Sequence, residues 1–180
     1  MQDIQDSIFL ITDIQEKLLN AVFNKDLLKN KAIILVKAAS VLNIPIFVTE
    51  QYPKGLGSTI PEIKTILQKN SVIQEKTDFN AFENKSFFEK FNNLDKKQII
   101  IMGIETHVCV YQTAEYLLKN GFNVTLAADA CGSRSKDEHN CGIDNLKQKG
   151  ADIKSTEMIL FELLKTAKHP NFKEIQSLIK

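Results

Sequence analysis

Three side chains that could together cleave a carbonyl compound each follow a short apolar run of the sequence. They are a carboxylate at Asp13, an ammonium at Lys76 and a thiol at Cys109. A thiol can act as a nucleophile, a nearby carboxylate can take its proton, and an ammonium can lower the cost of the negative charge that develops. This set of residue types is suited to acyl transfer through a thioester.

Each residue taken alone has an ordinary structural interpretation. Asp13 could be the N-cap of a helix, because a glutamate follows three residues later. Lys76 lies in a charged stretch and could be a solvated surface lysine, whereas Cys109 could be a small buried hydrophobe. The catalytic interpretation gains weight because all three fall at the carboxyl ends of predicted strands, where ligands bind in open parallel sheets.

Runs of β-branched and aliphatic residues predict the strands that would position these side chains. Four runs are clear and two are weaker, and they span residues 7–12, 44–49, 98–102 and 123–127, with the weaker ones at 71–74 and 152–155. Helical spacing lies between them and is clearest over residues 28–42. A further helix is predicted over residues 106–119, so that Cys109 would lie in its first turn, where the helix N-terminus favours a thiolate.

The alternation of strands and helices predicts an α/β fold in a single domain over residues 1–180. Strands of nearly continuous apolar character are typical of a parallel sheet that is covered on both faces. We therefore expect a three-layer α/β/α sandwich with a mainly parallel, Rossmann-like sheet of six strands.

Composition narrows the function to small-molecule chemistry. The chain has 180 residues, of which 43% are hydrophobic, and 23 basic residues against 22 acidic ones give a net charge of +1. Interspersed charges of both signs predict no nucleic-acid partner and no membrane partner, so the expected partner is a small-molecule substrate. The first apolar run is too short for a signal peptide, which favours a cytoplasmic protein with reduced thiols.

Four segments resemble the isochorismatase-like cysteine hydrolases, a family that includes nicotinamidases and carbamoylsarcosine-type amidases. They are Leu-Ile-Thr-Asp-Ile-Gln at 10–15, Thr-Glu-Gln-Tyr-Pro-Lys-Gly-Leu-Gly at 49–57, Lys-Thr-Asp-Phe-Asn-Ala-Phe at 76–82 and Gly-Ile-Glu-Thr-His-Val-Cys-Val at 103–110. The segment at 49–57 looks like the isochorismatase-domain-containing subgroup. The resemblance implies a catalytic triad of Asp13, Lys76 and Cys109.

The resemblance also implies the surroundings of the triad. A non-proline cis peptide would join Ile104 to Glu105, and the N–H groups of Glu105 and Cys109 would form an oxyanion hole. Nicotinamidases bind a metal through an Asp-x-His pair and a further histidine, but the corresponding stretch here is Thr-Glu-Gln-Tyr at 49–52, which contains no histidine. We therefore expect no metal and no cofactor, and the family implies a homo-oligomer.

Small-ligand pockets combine apolar walls with a few polar groups. The substrate-binding residues expected here are Gln15, Tyr52, Phe79, Asn80 and Phe82, although Phe82 is as well explained by core packing. The expected function is hydrolysis of a small carboxamide or related C–N bond through a thioester on Cys109. The alternatives are a catalytically silent scaffold or binding protein, and a redox-sensing thiol paired with Cys131.

Overall fold

The computed structural model describes residues 2–180 and is built around six parallel strands. The strands are β1 Ser7–Thr12, β2 Ile46–Gln51, β3 Val72–Lys76, β4 Gln98–Ile104, β5 Asn123–Gly132 and β6 Asp152–Lys154. Their order across the sheet is β3-β2-β1-β4-β5-β6. The chain builds outward from β1 to β3 and then returns to place β4 on the other side of β1. Ligand crevices of open α/β sheets lie where the order reverses in this way, beside the carboxyl ends of β1 and β4.

Helices connect the strands and cover both faces of the sheet. They are α1 Glu16–Asn20, α2 Lys25–Val41, α3 Pro53–Leu56, α4 Pro61–Lys64, α5 Lys85–Asn92, α6 Tyr111–Lys119, α7 Lys136–Gln148, α8 Thr156–Leu164 and α9 Phe172–Leu178. Short 3₁₀ turns lie at Ile4–Asp6 and Ala81–Glu83, and a π-helical turn at Thr106–Val110 leads directly into α6. None of the helices within residues 2–180 has the length and apolar character needed to cross a bilayer.

Two hydrophobic clusters lie on opposite faces of the sheet. Phe9 and Ile11 of β1 pack with the buried faces of α2, α8 and α9, whereas Ile8 and Leu10 pack with α5, α6 and α7. Successive strand residues point to opposite faces, so a strand that is buried on both sides needs an unbroken apolar run. The predicted three-layer α/β/α fold with a parallel six-stranded sheet is therefore confirmed.

The strand bounds differ from the predicted ones where polar residues enter the sheet. β5 continues five residues beyond the predicted end at Ala127, although it contains Asp129. The Asp129 carboxylate accepts hydrogen bonds from the N–H and Oγ1 of Thr156, at 2.7 and 2.8 Å. β3 runs to Lys76, so this residue is the last of its strand rather than the first beyond it, and its cross-strand partner is Gln51.

Candidate active site

Asp13 is fully buried in the turn that follows β1. Its backbone has a left-handed φ of 52°, and its N–H donates to the carbonyl of Thr49 at 3.2 Å. One carboxylate oxygen accepts from Thr49 Oγ1 and the other from Lys76 Nζ, both at 2.7 Å. The N-cap position of α1 belongs to Gln15. The helix-capping interpretation of Asp13 is therefore wrong, because both oxygens are used inside the site.

Lys76 is a buried ammonium rather than a surface lysine. Its side chain is 3% exposed and forms an ion pair with Asp13. Nζ also donates to Gln51 Oε1 at 2.6 Å, and it lies 3.2 and 3.4 Å from the carbonyls of Asp78 and Phe79. A buried charge needs such partners, since an unpaired one would cost several kcal/mol or more. The charge partner of Asp13 is therefore held in place from several directions.

Cys109 lies in the π-helical turn after β4 and is 6% exposed. The pKa of its thiol is raised to about 12, mainly by burial and then by the charge of Asp13, while the charge of Lys76 partly offsets the rise. The thiolate that a helix N-terminus was expected to favour is therefore not the resting form, because burial and Asp13 outweigh Lys76. Both charges act on this thiol, so the three predicted residues share one site.

The turn that carries Cys109 is fixed from both ends. The peptide bond between Ile104 and Glu105 is cis, and the Glu105 carbonyl accepts from the N–H groups of Val108 and Val110 at 3.1 and 3.2 Å. These two donors flank Cys109 in the chain. The Glu105 carboxylate binds Arg134 through Nη2 at 2.7 Å and through Nε and the backbone N–H at 3.0 Å each. The Arg134 guanidinium accordingly lowers the pKa of Glu105.

Two histidines tie the same turn to its neighbours. His107 Nδ1 lies 3.0 Å from Ser133 Oγ, and His139 Nδ1 lies 2.9 Å from Thr106 Oγ1. Burial lowers the pKa of His139, which favours its neutral form. These contacts give both histidines a structural role next to the site.

Two of the predicted pocket residues, Tyr52 and Asn80, line a cavity of about 520 Å³ that reaches Lys76. Asn80 also caps the following 3₁₀ turn, because its Oδ1 accepts from the N–H of Phe82 at 3.2 Å. Phe79 is half exposed and lines a separate hollow of about 300 Å³ together with Asn80 and Gln112.

The predicted pocket roles of Gln15 and Phe82 need correction. Gln15 is fully buried, and its amide is used by backbone groups: Oε1 accepts from the N–H of Gln51, and Nε2 donates to the carbonyls of Gln51 and Gly57. Phe82 packs in an aromatic cluster, with ring centroids 4.8 Å from Phe91 and 5.7 Å from Tyr116. The first residue ties a loop to the sheet and the second belongs to the core.

Sequence reasoning missed the roles of Thr49, Gln51 and Arg134. Thr49 and Gln51, near the end of β2, hydrogen-bond Asp13 and Lys76. Among residues 2–180, no three His, Cys, Asp or Glu side chains are grouped so as to hold a metal ion. The available signal was the position of Thr49 and Gln51 at alternate residues of one strand end, which places them on the same face.

Comparison with known proteins agrees with this architecture. Residues 7–158 match the family model described as "Isochorismatase domain". Isochorismatase domain-containing protein 2 of Danio rerio is 39% identical over 173 residues, which cover 96% of this chain and 86% of that protein. The structure of MAR1 ribonuclease from Caenorhabditis elegans has a TM-score of 0.94 and 36% identity, and the match covers 99% of this chain and 91% of that one.

Two YcaC structures are also similar. YcaC from Pseudomonas aeruginosa, with hexane-2,5-diol and covalent acrylamide, has a TM-score of 0.92 and 27% identity over 98% of this chain and 90% of that one. YcaC from Escherichia coli, described as an octameric hydrolase of unknown specificity, has a TM-score of 0.88 and 26% identity over 98% of this chain and 94% of that one. The family model covers most of the chain and agrees with the relatives, and the chain belongs to the isochorismatase family.

Proposed function

We propose that this protein is a hydrolase that cleaves a small carboxamide, or a related C–N bond, through a thioester on Cys109. Membership of the isochorismatase family supports a hydrolase-type function. The observation that best supports cysteine-dependent cleavage of a carboxamide is the buried Asp13–Lys76 ion pair, whose two charges both act on the thiol of Cys109. A nucleophile, a base and a cation in one buried site fit acyl transfer better than simple binding.

In the first half-reaction, Sγ of Cys109 bonds to the carbonyl carbon while its proton moves to Asp13. Proton transfer accompanies the attack, because a thiol with a pKa of about 12 is not ionised beforehand near neutral pH. The N–H groups of Glu105 and Cys109 would donate to the oxygen that becomes negative. When the C–N bond breaks, Asp13 returns the proton to the departing nitrogen, which leaves an acyl-Cys109 thioester.

In the second half-reaction, water replaces the amine. As the water oxygen attacks the thioester carbon, Asp13 takes a proton from the water. That proton then passes to Sγ as the carboxylic acid leaves. The ammonium of Lys76 offsets the negative charge that alternates between Asp13 and the thiol.

The similar proteins guide the choice of substrate and assembly. P. aeruginosa YcaC carries covalent acrylamide, a small carboxamide, which supports testing such compounds first. The octameric E. coli YcaC supports a homo-oligomer for this chain. The C. elegans neighbour is named a ribonuclease, so RNA is the substrate of a second arm of the test.

The test measures ammonia release from a panel of small carboxamides, and RNA cleavage in parallel, by wild type and Cys109→Ser. We expect amide hydrolysis that falls by about a thousandfold in Cys109→Ser. Cys141→Ser, which alters an exposed thiol, is the matched control and should hydrolyse like wild type. Undiminished hydrolysis by Cys109→Ser, or cleavage of RNA alone, would overturn the proposal, and inactivity on the whole panel would favour a scaffold.

A further inference from the structure

Gln51 contacts Lys76 directly, yet the proposed mechanism gives it no role. It is the last residue of β2 and the cross-strand partner of Lys76. Its Oε1 accepts from Nζ of Lys76 at 2.6 Å, while its Nε2 donates to the carbonyl of Thr77 at 2.6 Å. An ammonium can only donate and a carbonyl can only accept, so a single orientation of the amide satisfies both contacts.

Gln51 provides one of the two shortest contacts of the Lys76 ammonium. An ammonium has three N–H donors, and the two shortest contacts of Nζ are those to Gln51 Oε1 and to Asp13 Oδ2. Because Gln51 is neutral, Asp13 is the one carboxylate among residues 2–180 that forms an ion pair with Lys76. The remaining contacts, to backbone carbonyls, are longer at 3.2 and 3.4 Å.

The backbone of Gln51 is anchored just as firmly as its side chain. Its N–H donates to Gln15 Oε1 at 2.7 Å, and its carbonyl accepts from Gln15 Nε2 at 3.0 Å. The same Gln15 nitrogen reaches the carbonyl of Gly57 in the loop after β2. Gln51 thus joins the turn after β1 and this loop to the ammonium of Lys76.

We propose that Gln51 is a positioning residue, which holds the ammonium of Lys76 between Asp13 and Cys109 without adding charge. The inference rests on the proposed function, since it assigns a role within the same site. Its physical content is twofold: removing the acceptor releases the ammonium, and replacing it with a carboxylate puts a second negative charge near the thiol.

The test compares Gln51→Glu and Gln51→Leu with wild type in the pH dependence of Cys109 alkylation by iodoacetamide and in amide hydrolysis. Gln51→Glu keeps an acceptor for Lys76 but cannot donate to the Thr77 carbonyl. Its added charge should raise the apparent pKa of Cys109 by about one unit and slow alkylation about tenfold. Gln51→Leu should lower kcat about tenfold with KM within about twofold, because Lys76 loses its fixed direction.

The matched control is Gln98→Glu, which adds the same charge at the opposite end of the sheet and keeps an acceptor for the N–H of Asp3. In this variant, Cys109 should be alkylated and amides should be hydrolysed at the wild-type rates.

An alkylation profile of Gln51→Glu that superimposes on wild type would overturn the inference, even where Cys109→Ser abolishes hydrolysis and the proposed function stands. If Cys109→Ser still hydrolyses amides, the proposed function fails, and the alkylation profile still decides the effect of Gln51 on the thiol. If Gln51→Leu does not fold, Gln51→Met, which has a side chain of similar length without an amide oxygen, replaces it in the kinetic comparison.

Discussion

At the scale of single residues, the two charged neighbours of Cys109 act on its thiol in opposite directions. The pKa of the thiol is raised to about 12, mainly by burial and then by Asp13, while Lys76 opposes the rise. Asp13 therefore disfavours a free thiolate, although it is the group that would accept the proton during attack. The two charged neighbours therefore have opposite effects on the pKa of the thiol, although the proposed mechanism needs both of them.

This opposition gives a prediction for two substitutions. Asp13→Asn removes the charge that raises the pKa of Cys109, so its alkylation near pH 8 should become about tenfold faster, while amide hydrolysis falls by about 10²- to 10⁴-fold. Lys76→Ala should slow both reactions. Mass spectrometry of each cysteine after timed alkylation measures the first effect, and Cys141 is the internal control. Equal slowing of alkylation by both substitutions would contradict the account.

The sequence predicted the residue types of this site better than their contacts. Asp13, Lys76 and Cys109 could be selected because apolar runs place them at the carboxyl ends of strands. Reactive side chains at these positions are candidates for a ligand site. The contact of Gln51 with Lys76 depends on the register between β2 and β3, which apolar periodicity alone does not set. Gln15 and Phe82 were placed in the pocket because their types suit one, but the fold uses them in backbone contacts and in the core.

At the scale of elements, the close approach of β1 and β4 sets the position of the site. Gly103 near the end of β4 has a φ of +142°, and a Cβ built on it would lie 2.0 Å from the carbonyl oxygen of Thr12. Only glycine lets the two strand ends come this close. Asp13 and the Cys109 turn follow directly from these two strand ends.

Gly103→Ala should therefore lower the free energy of unfolding by about 3 kcal/mol or more, because the clash is with backbone. Gly150→Ala is the matched control: its φ is +99°, but nothing lies within 4 Å of the added Cβ. It should cost about 1 kcal/mol from backbone conformation alone. Urea denaturation of the purified variants measures both losses, and equal losses would show that the strand approach is not what requires glycine.

Element types were predictable for a physical reason. Strands buried on both faces need continuous apolar residues, and the central residues of β1 (8–11) and β4 (99–102) form such runs. β5 was predicted too short because its apolar run ends before Asp129, whose partner Thr156 is 27 residues away in the chain. Contacts of that separation are invisible to a local pattern.

At the scale of the whole molecule, two buried thiols should make the free energy of unfolding fall as the pH rises into the alkaline range. Burial raises the pKa of Cys131, like that of Cys109, from 9.0 to about 12. A folded pKa above the unfolded one means that the folded state retains the proton. This stability is fully present below pH 9 and is lost as the pH rises towards 12, by about 1.4 kcal/mol per pH unit for each thiol.

Cys131→Ala should accordingly make the decline of the free energy of unfolding between pH 9 and 12 less steep, by about the share of one thiol. Any loss of packing from the smaller side chain shifts the curve at every pH and leaves this difference in slope. Urea titrations at several pH values measure it, with Cys141→Ala, which removes an exposed thiol, as the control. A slope identical to wild type in Cys131→Ala would contradict the predicted effect of burial.

The homo-oligomer proposed for this chain is tested by size-exclusion chromatography with light scattering. A single chain has a mass of 20.4 kDa. We expect a mass that is a multiple of this value and that persists on dilution, as the octameric state of E. coli YcaC suggests. A mass of one chain at micromolar concentration would remove the oligomer from the account.

The proposed thioester on Cys109 can be observed by intact-mass spectrometry after rapid quench during hydrolysis of a carboxamide that the protein turns over. We expect the mass of the acyl group to be added to the wild-type chain in the first turnover and to disappear when the substrate is exhausted. Peptide mapping should place the added mass on Cys109. Turnover at the wild-type rate with no added mass at any quench time would contradict a covalent intermediate on Cys109.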